Sequence, residues 1–168
     1  MLRDIQEETT VFLERVELLK EKLGPLLIQL PPNFSDEGYV SIRDFLQRLP
    51  KKHRYAIEIR NQEMFTAKLY SMLRTNSVTL AWVDRPNIPV NRERTGDFIY
   101  ARWEGDRKKV IGTLGKTEID RTTDTKCWVE ELKPFFGKQI PFFGYFSKYY
   151  SGLPTSDAQE FLKSVNTY

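Results

Sequence analysis

The chain has 168 residues, 40% of them hydrophobic and 29% charged, which is the composition of a folded globular domain and excludes a disordered or fibrous chain. Its 26 basic and 23 acidic residues leave a net charge of +3, a near balance that gives little support to nucleic-acid binding. With 1 cysteine (Cys127) and 1 histidine (His53), an internal disulfide, a C-x-x-C redox motif and a zinc site are all excluded, so any metal would need oxygen ligands.

No apolar run approaches the roughly 18 residues of a membrane span. The start, Met1-Leu2-Arg3-Asp4-Ile5-Gln6-Glu7-Glu8, is acidic where a signal peptide is basic and then apolar, so the expected location is the cytosol with no membrane partner. Residues 3 to 23 predict an amphipathic helix, with Ile5, Phe12, Val16, Leu19 and Leu23 on one face and Gly24-Pro25 as the stop. Leu26-Leu27-Ile28-Gln29-Leu30, closed by Pro31-Pro32, has the composition of a buried strand with Gln29 as its polar member. The S-x-x-D start at Ser41 and the stripe Ile42, Phe45, Leu46 and Leu49 predict a second helix, ending at Pro50.

Tyr55-Ala56-Ile57-Glu58-Ile59-Arg60 alternates strictly, so a strand is predicted with Tyr55, Ile57 and Ile59 on one face and Ala56, Glu58 and Arg60 on the other. A helix around 63 to 74 precedes the strand Val78 to Asp84, and a loop with Pro86 and Pro89 leads to the strand Phe98 to Trp103. A basic loop, a helix near 120 to 133 with Cys127 packed inside it, and the strand Pro141 to Tyr145 follow. The last helix, about 155 to 165, opens behind Pro154 with Thr155 or Ser156 as its cap. The aromatic residues from Phe135 to Tyr150 read as core, Tyr149 and Tyr150 being the expected exceptions. The expected fold is α/β, with about five parallel strands alternating with right-handed helical crossovers in a single domain over residues 1–168.

Functional groups in such sheets collect at the carboxyl ends of the strands, and those ends carry Gln29, Glu58 with Arg60, Asp84, Tyr100 with Arg102, and Tyr145 with Ser147. The expectation is one concave site. Glu58 is the general base or a metal ligand, and Arg60 is the clamp for an anion or carboxylate. Asp84 either pairs with an arginine or joins Glu58 at a metal. Tyr100 and Arg102 add a phenol and a guanidinium, so Glu58, Asp84 and Tyr100 are the catalytic candidates. Gln29, Arg60, Arg102, Arg107, Tyr145 and Ser147 are the substrate-binding ones. No cofactor is legible.

The order of motifs resembles the YecE-like family, domain-of-unknown-function family seventy-two. The matching pieces are Gly24-Pro25-Leu26-Leu27-Ile28-Gln29-Leu30-Pro31-Pro32, Arg54-Tyr55-Ala56-Ile57-Glu58-Ile59-Arg60, Asp84-Arg85-Pro86, Thr95 to Arg107, and Tyr145-Phe146-Ser147 to Ala158. The resemblance implies a (β/α) barrel of the TIM type and transfers no reaction. Family members begin with three further strand–helix units that have no counterpart here, so the chain is expected to be the C-terminal five-eighths of a barrel. Where the family has Phe-Asn-Asn-His-Tyr after the last strand, this chain has Phe146-Ser147-Lys148-Tyr149-Tyr150. The loop Gly105 to Lys109 would follow barrel strand seven, where many barrels bind phosphate, which is how Arg107 enters the set.

The leading functional expectation is a barrel enzyme acting on a small anionic or sugar-like substrate. A metal-dependent nucleic-acid-processing or nucleic-acid-binding barrel is the second reading, weakened by the balanced charge. The third is a fragment without activity of its own, which self-associates or awaits a missing N-terminal half, because two sheet edges would stand open.

Overall fold

Every pair of named strands in the computed structural model, which describes residues 5–35, 38–86 and 88–166, is parallel. The chain forms two compact units, Met1–Leu80 and Ala81–Tyr168. The chain is mixed α/β, and in each unit parallel strands alternate with helices.

The first unit runs α1 (Gln6–Glu17), a 3-10 turn (Lys20–Lys22), β1 (Leu26–Gln29), α2 (Tyr39–Arg48), β2 (Tyr55–Glu58), a second 3-10 turn (Gln62–Met64), α3 (Ala67–Thr75) and β3 (Val78–Leu80). Its sheet order is β1-β2-β3. Leu26 and Ile28 pair with Tyr55 and Ile57, which pair in turn with Val78 and Leu80. Because side chains alternate along a strand, this register places all six on one face. They pack there against Leu13, Ile42, Leu46, Leu69 and Leu73. Leu27, Gln29, Ala56, Glu58 and Thr79 occupy the other face by the same parity.

The second unit runs β4 (Trp82–Asp84), β5 (Ile99–Trp103), α4 (Thr122–Phe136), β6 (Phe142–Phe146), the short α5 (Lys148–Ser151) and α6 (Pro154–Val165), with sheet order β4-β5-β6. Trp82, Ile99, Ala101 and Trp103 face Trp128, Leu132 and Phe161 of α4 and α6. Trp103 stacks flat on Phe146, centroids 4.1 Å apart at 6°. Gly144 makes room for it, since a Cβ there would lie 2.8 Å from the indole.

Several expectations shift. The first helix, expected over 3 to 23, is α1 over Gln6–Glu17, with residues 3 and 4 outside the described part. Beyond it Lys20 takes the left-handed conformation (φ 50°) expected of Gly24, and Leu18 and Leu19 are exposed, so burial does not prolong the helix. Ser41 lies inside α2, whose N-cap is Gly38. α3 begins at Ala67, later than expected, because Thr66 supplies the cap by accepting from the Leu69 amide at 3.3 Å. The expected strand Val78 to Asp84 breaks at Ala81, a residue of low strand propensity, so that 78–80 pair with β2 and 82–84 with β5. α6 is capped through neither Thr155 nor Ser156. Pro154 takes its first position, and Ser151 Oγ accepts from the Leu153 amide at 3.2 Å. Cys127, expected inside, is exposed, because Thr125, Trp128, Val129 and Leu132 form the buried stripe of α4. Tyr150, expected at the surface, is core.

Candidate functional site

In the first unit the polar residues of the sheet face away from the helices gather at the carboxyl ends of β1 and β2. Gln29 pairs in register with Glu58, so their side chains leave the sheet on the same face, about 4.8 Å apart at the backbone. Glu58 is 0% exposed. Its Oε1 accepts from Arg60 Nε at 2.9 Å. An unpaired carboxylate at such depth would cost several kcal/mol. The strand therefore supplies its own counter-charge two residues on, where alternation returns the chain to the same face. The Arg60 side chain stays 29% exposed, and among the described residues Glu58 is its only ion-pair or hydrogen-bond partner. Glu58 holds the Nε edge, and the Nη edge is open to a ligand. In this geometry Glu58, expected as a base or metal ligand, also orients Arg60.

In the second unit Tyr100 and Arg102 lie on the face away from the helices, because Ile99, Ala101 and Trp103 are committed to the core. Arg102 pairs in register with Tyr145, and Tyr145 stacks on Tyr100 with centroids 4.9 Å apart at 28°. Arg102 Nη2 meets Glu104 Oε1 at 3.2 Å, and Arg85 Nη2 approaches Glu104 Oε2 at 4.0 Å. Neither Arg85 nor Glu104 was among the sequence candidates. The signal was present, since Glu104 continues the alternation Tyr100, Arg102 by one step and Arg85 continues it from Val83.

Asp84 is not part of that cluster. It shares parity with Trp82, so it points into the helical layer, where its Oδ2 accepts from the Trp128 indole Nε1 at 3.0 Å. Burial pushes the nearby Tyr150 phenol upward, with the Asp84 and Asp124 carboxylates adding to the effect. Arg107 lies over the Tyr149 ring, 4.8 Å from its centroid. Ser147 caps α5 by accepting from the Tyr149 amide at 3.3 Å. The loop carrying Arg107 turns at Gly105 (φ +66°), pressed so closely on the Tyr149 carbonyl that a Cβ would lie 1.9 Å from its oxygen.

At the other end of the first unit, Glu17 closes α1 against the loop before β2. Its Oε1 meets Lys52 Nζ at 2.6 Å and His53 Nε2 at 3.1 Å. These partners hold the Glu17 carboxyl below its ordinary range. Burial, with the Glu17 charge behind it, pushes the Tyr55 phenol up to about 12, so it stays protonated throughout the physiological range. Among the described residues no group of three or more His, Cys, Asp or Glu side chains is placed to hold a metal ion. No helix of the described residues is long and apolar enough to cross a membrane.

A family model described as "Protein of unknown function DUF72" matches residues 1–168. Solved structures are similar in fold. A DUF72 family protein from Thermotoga maritima MSB8 superposes with a TM-score of 0.77 at 21% identity, covering 98% of this chain and 66% of its own. A DUF72 family protein from Enterococcus faecalis V583, solved twice, gives TM-scores of 0.73 at 20% and 23% identity, covering 98% and 96% of this chain and 67% and 69% of its own. The chain thus spans about two thirds of the length of the structures it matches. No curated protein matches it.

Proposed function

The chain belongs to the DUF72 family, and on that premise we propose that it binds a small anionic or sugar-like ligand at the carboxyl ends of its parallel strands, with Arg60 as the anion clamp. Each three-stranded parallel sheet, with its strands in sequential order, supports reading that unit as an arc of a (β/α) barrel, a fold that binds at this end of its strands. The observation that carries the proposal is the guanidinium of Arg60, fixed along its Nε edge by a wholly buried carboxylate and open along its Nη edge. An arginine held in this way loses little further freedom when an anion arrives, and its planar fork suits carboxylate or phosphate. Gln29, exposed on the neighbouring strand in register with Glu58, is positioned to hydrogen-bond a ligand hydroxyl. In an enzyme acting on such a ligand, Arg60 would stabilise negative charge developing on the substrate, and Glu58 would keep the guanidinium in place.

The test is a titration of isotope-labelled protein with inorganic phosphate, citrate and glucose 6-phosphate, followed by amide chemical shifts at residues 58–61. The wild type should show saturable shifts there. Arg60→Lys, which keeps the charge and loses the fork, should weaken binding by roughly tenfold. The double variant Glu58→Gln/Arg60→Gln, which removes both charges of the pair together, should fold and not bind. Absence of any anion-dependent shift at 58–61 in the wild type would sink the reading.

A further inference from the structure

We propose that the second unit carries a phosphate site outside its sheet, where Arg107 and Lys148 meet at the ring of Tyr149 and together take one phosphoryl group, free or as an ester. The site lies wholly in that unit and stands independently of Arg60.

Residues 105–118 and 147–149 hold five lysines and arginines against two carboxylates, so their excess equals the +3 of the entire chain and the remainder is neutral. A local excess of this kind draws anions toward it even where the protein is balanced overall. Both carboxylates are engaged. Glu118 accepts from the backbone amides of Ile111 and Gly112 at 2.8 and 2.7 Å. Asp106 accepts from the Lys108 amide at 2.8 Å and approaches Lys109 Nζ at 4.0 Å. Arg107 and Lys148 are exposed, and among the described residues neither side chain has an ion pair or a hydrogen bond. Each rests on the Tyr149 ring instead.

The two segments are tied together through their backbones. The Asp106 amide donates to the Tyr149 carbonyl at 3.1 Å, and the Glu118 amide to the Ser151 carbonyl at 2.6 Å. Gly112, at φ +69°, lets the loop close on the Lys148 stem, because a Cβ there would lie 3.0 Å from Lys148 Cγ. The Arg107 guanidinium then lies 4.8 Å and the Lys148 ammonium 5.0 Å from the Tyr149 centroid. A ring quadrupole attracts cations without neutralising them, so two full charges are held within about 10 Å of each other, the sum of those distances. A phosphoryl group accepting on two sides bridges most of that span. With up to two charges and three oxygens it can serve a planar fork and an ammonium at once, which a singly charged carboxylate does less well. Cations already held against a ring also lose less freedom when the anion arrives.

The experiment titrates the isotope-labelled full chain with inorganic phosphate, glucose 6-phosphate and acetate, read at the amides of residues 105–112 and 147–150. Phosphate should give saturable shifts there and bind at least roughly tenfold tighter than acetate. Glucose 6-phosphate binding as tightly as phosphate assigns the site to esters, and weaker binding assigns it to the free ion. Arg107→Gln and Lys148→Gln should each weaken phosphate binding by roughly fivefold or more. Lys108→Gln, which removes an exposed charge of the same loop that does not rest on the ring, should change it by less than about twofold. Tyr149→Leu keeps every charge and should weaken binding by roughly threefold, because nothing then holds the two cations together. If Tyr149→Leu fails to fold, the three charge variants decide the matter. No saturable phosphate shift at these amides in the wild type would overturn the site. Equal losses in Lys108→Gln and Arg107→Gln would reduce it to diffuse surface charge, and equal affinity for acetate and phosphate would overturn the recognition of a phosphoryl group.

Discussion

Glu58 and Asp84 are both acids near the carboxyl end of a parallel strand, one in each unit, and they face opposite ways. Glu58 leaves β2 on the face away from the helices and orients Arg60. Asp84 leaves β4 toward the helices and receives the Trp128 indole proton. The cause is parity. In β2 the large apolar residues Tyr55 and Ile57 take the helical face, which sends Glu58 to the other side. In β4 the indole of Trp82 takes the helical face and carries Asp84 with it two residues later. The lesson is that an acid at a strand end is assigned by the apolar residue two positions before it, not by the strand end itself.

The connections that follow the two polar strands also differ, and the largest expected effect breaks that contrast. After β2 the chain runs into a 3-10 turn, with Asn61 as its cap and no glycine. After β5 it turns on Gly105 against the backbone of Tyr149 and Tyr150. Gly105→Ala places a methyl group on a carbonyl oxygen and a side chain at φ +66°, and neither neighbour is a flexible side chain able to yield. A loss of more than about 3 kcal/mol in denaturant unfolding is expected. A loss under about 1 kcal/mol would mean that the Gly105 turn and α5 part readily.

Next in size is the difference between the two arginines. Arg60→Ala removes a charge-assisted hydrogen bond to Glu58, which is 0% exposed, and should cost about 3 kcal/mol. Arg102→Ala leaves Glu104, whose side chain is 23% exposed and still faces Arg85, and should cost about 1 kcal/mol. Equal costs in urea titrations would show that burial of the acid does not govern these pairs.

How much of this was legible in the sequence follows from the same parity. The Tyr55 to Arg60 pattern was unambiguous because both faces are marked, one by isoleucines and one by charges, and the structure reproduces it. Trp82-Val83-Asp84 offered too short a pattern for Asp84 to be assigned, since a three-residue strand with apolar neighbours on both faces leaves the choice to packing against Trp128, a residue 44 positions away. Glu104 was hidden for another reason. It stands just beyond the last paired residue of β5, where alternation still directs the side chain although the ladder has ended. The exposure of Cys127 was hidden too, because a four-residue stripe of Thr125, Trp128, Val129 and Leu132 fixes the helix's buried side and only the partners identify it.

A smaller effect sharpens the Asp84 assignment. Asp84→Ala removes the acceptor of the Trp128 Nε1–H at a partly buried site, so a loss of about 1 to 2 kcal/mol is expected. Asp84→Asn keeps a carbonyl oxygen in the same place and should recover most of it. Equal losses for Asp84→Ala and Asp84→Asn would show that the acceptor oxygen for Trp128 is not what Asp84 contributes.

The smallest effect concerns another acid of the second unit, Asp157, and it is read through pH. Burial raises its carboxyl above the ordinary aspartate value. The hydrogen bond from Ser151 Oγ, at 2.6 Å, and the charge of Arg121 oppose the rise without cancelling it. A folded-state pKa raised above the unfolded one means that folding favours the protonated form. Its contribution to stability is fully present below the unfolded value and is lost as pH rises through the folded one. At neutral pH the wild type therefore carries a small cost, which Asp157→Asn removes while its amide oxygen still accepts from Ser151. Because the group is only half buried, solvent screening limits the gain to about a few tenths of a kcal/mol at pH 7. The gain should shrink toward zero as pH falls below the aspartate range, when both proteins carry a neutral side chain there. Thermal unfolding of the two proteins across that range measures the difference, and an Asp157→Asn variant less stable than the wild type at pH 7 would show that the charged carboxylate, through Arg121 and Ser151, stabilises the start of α6 more than its burial costs.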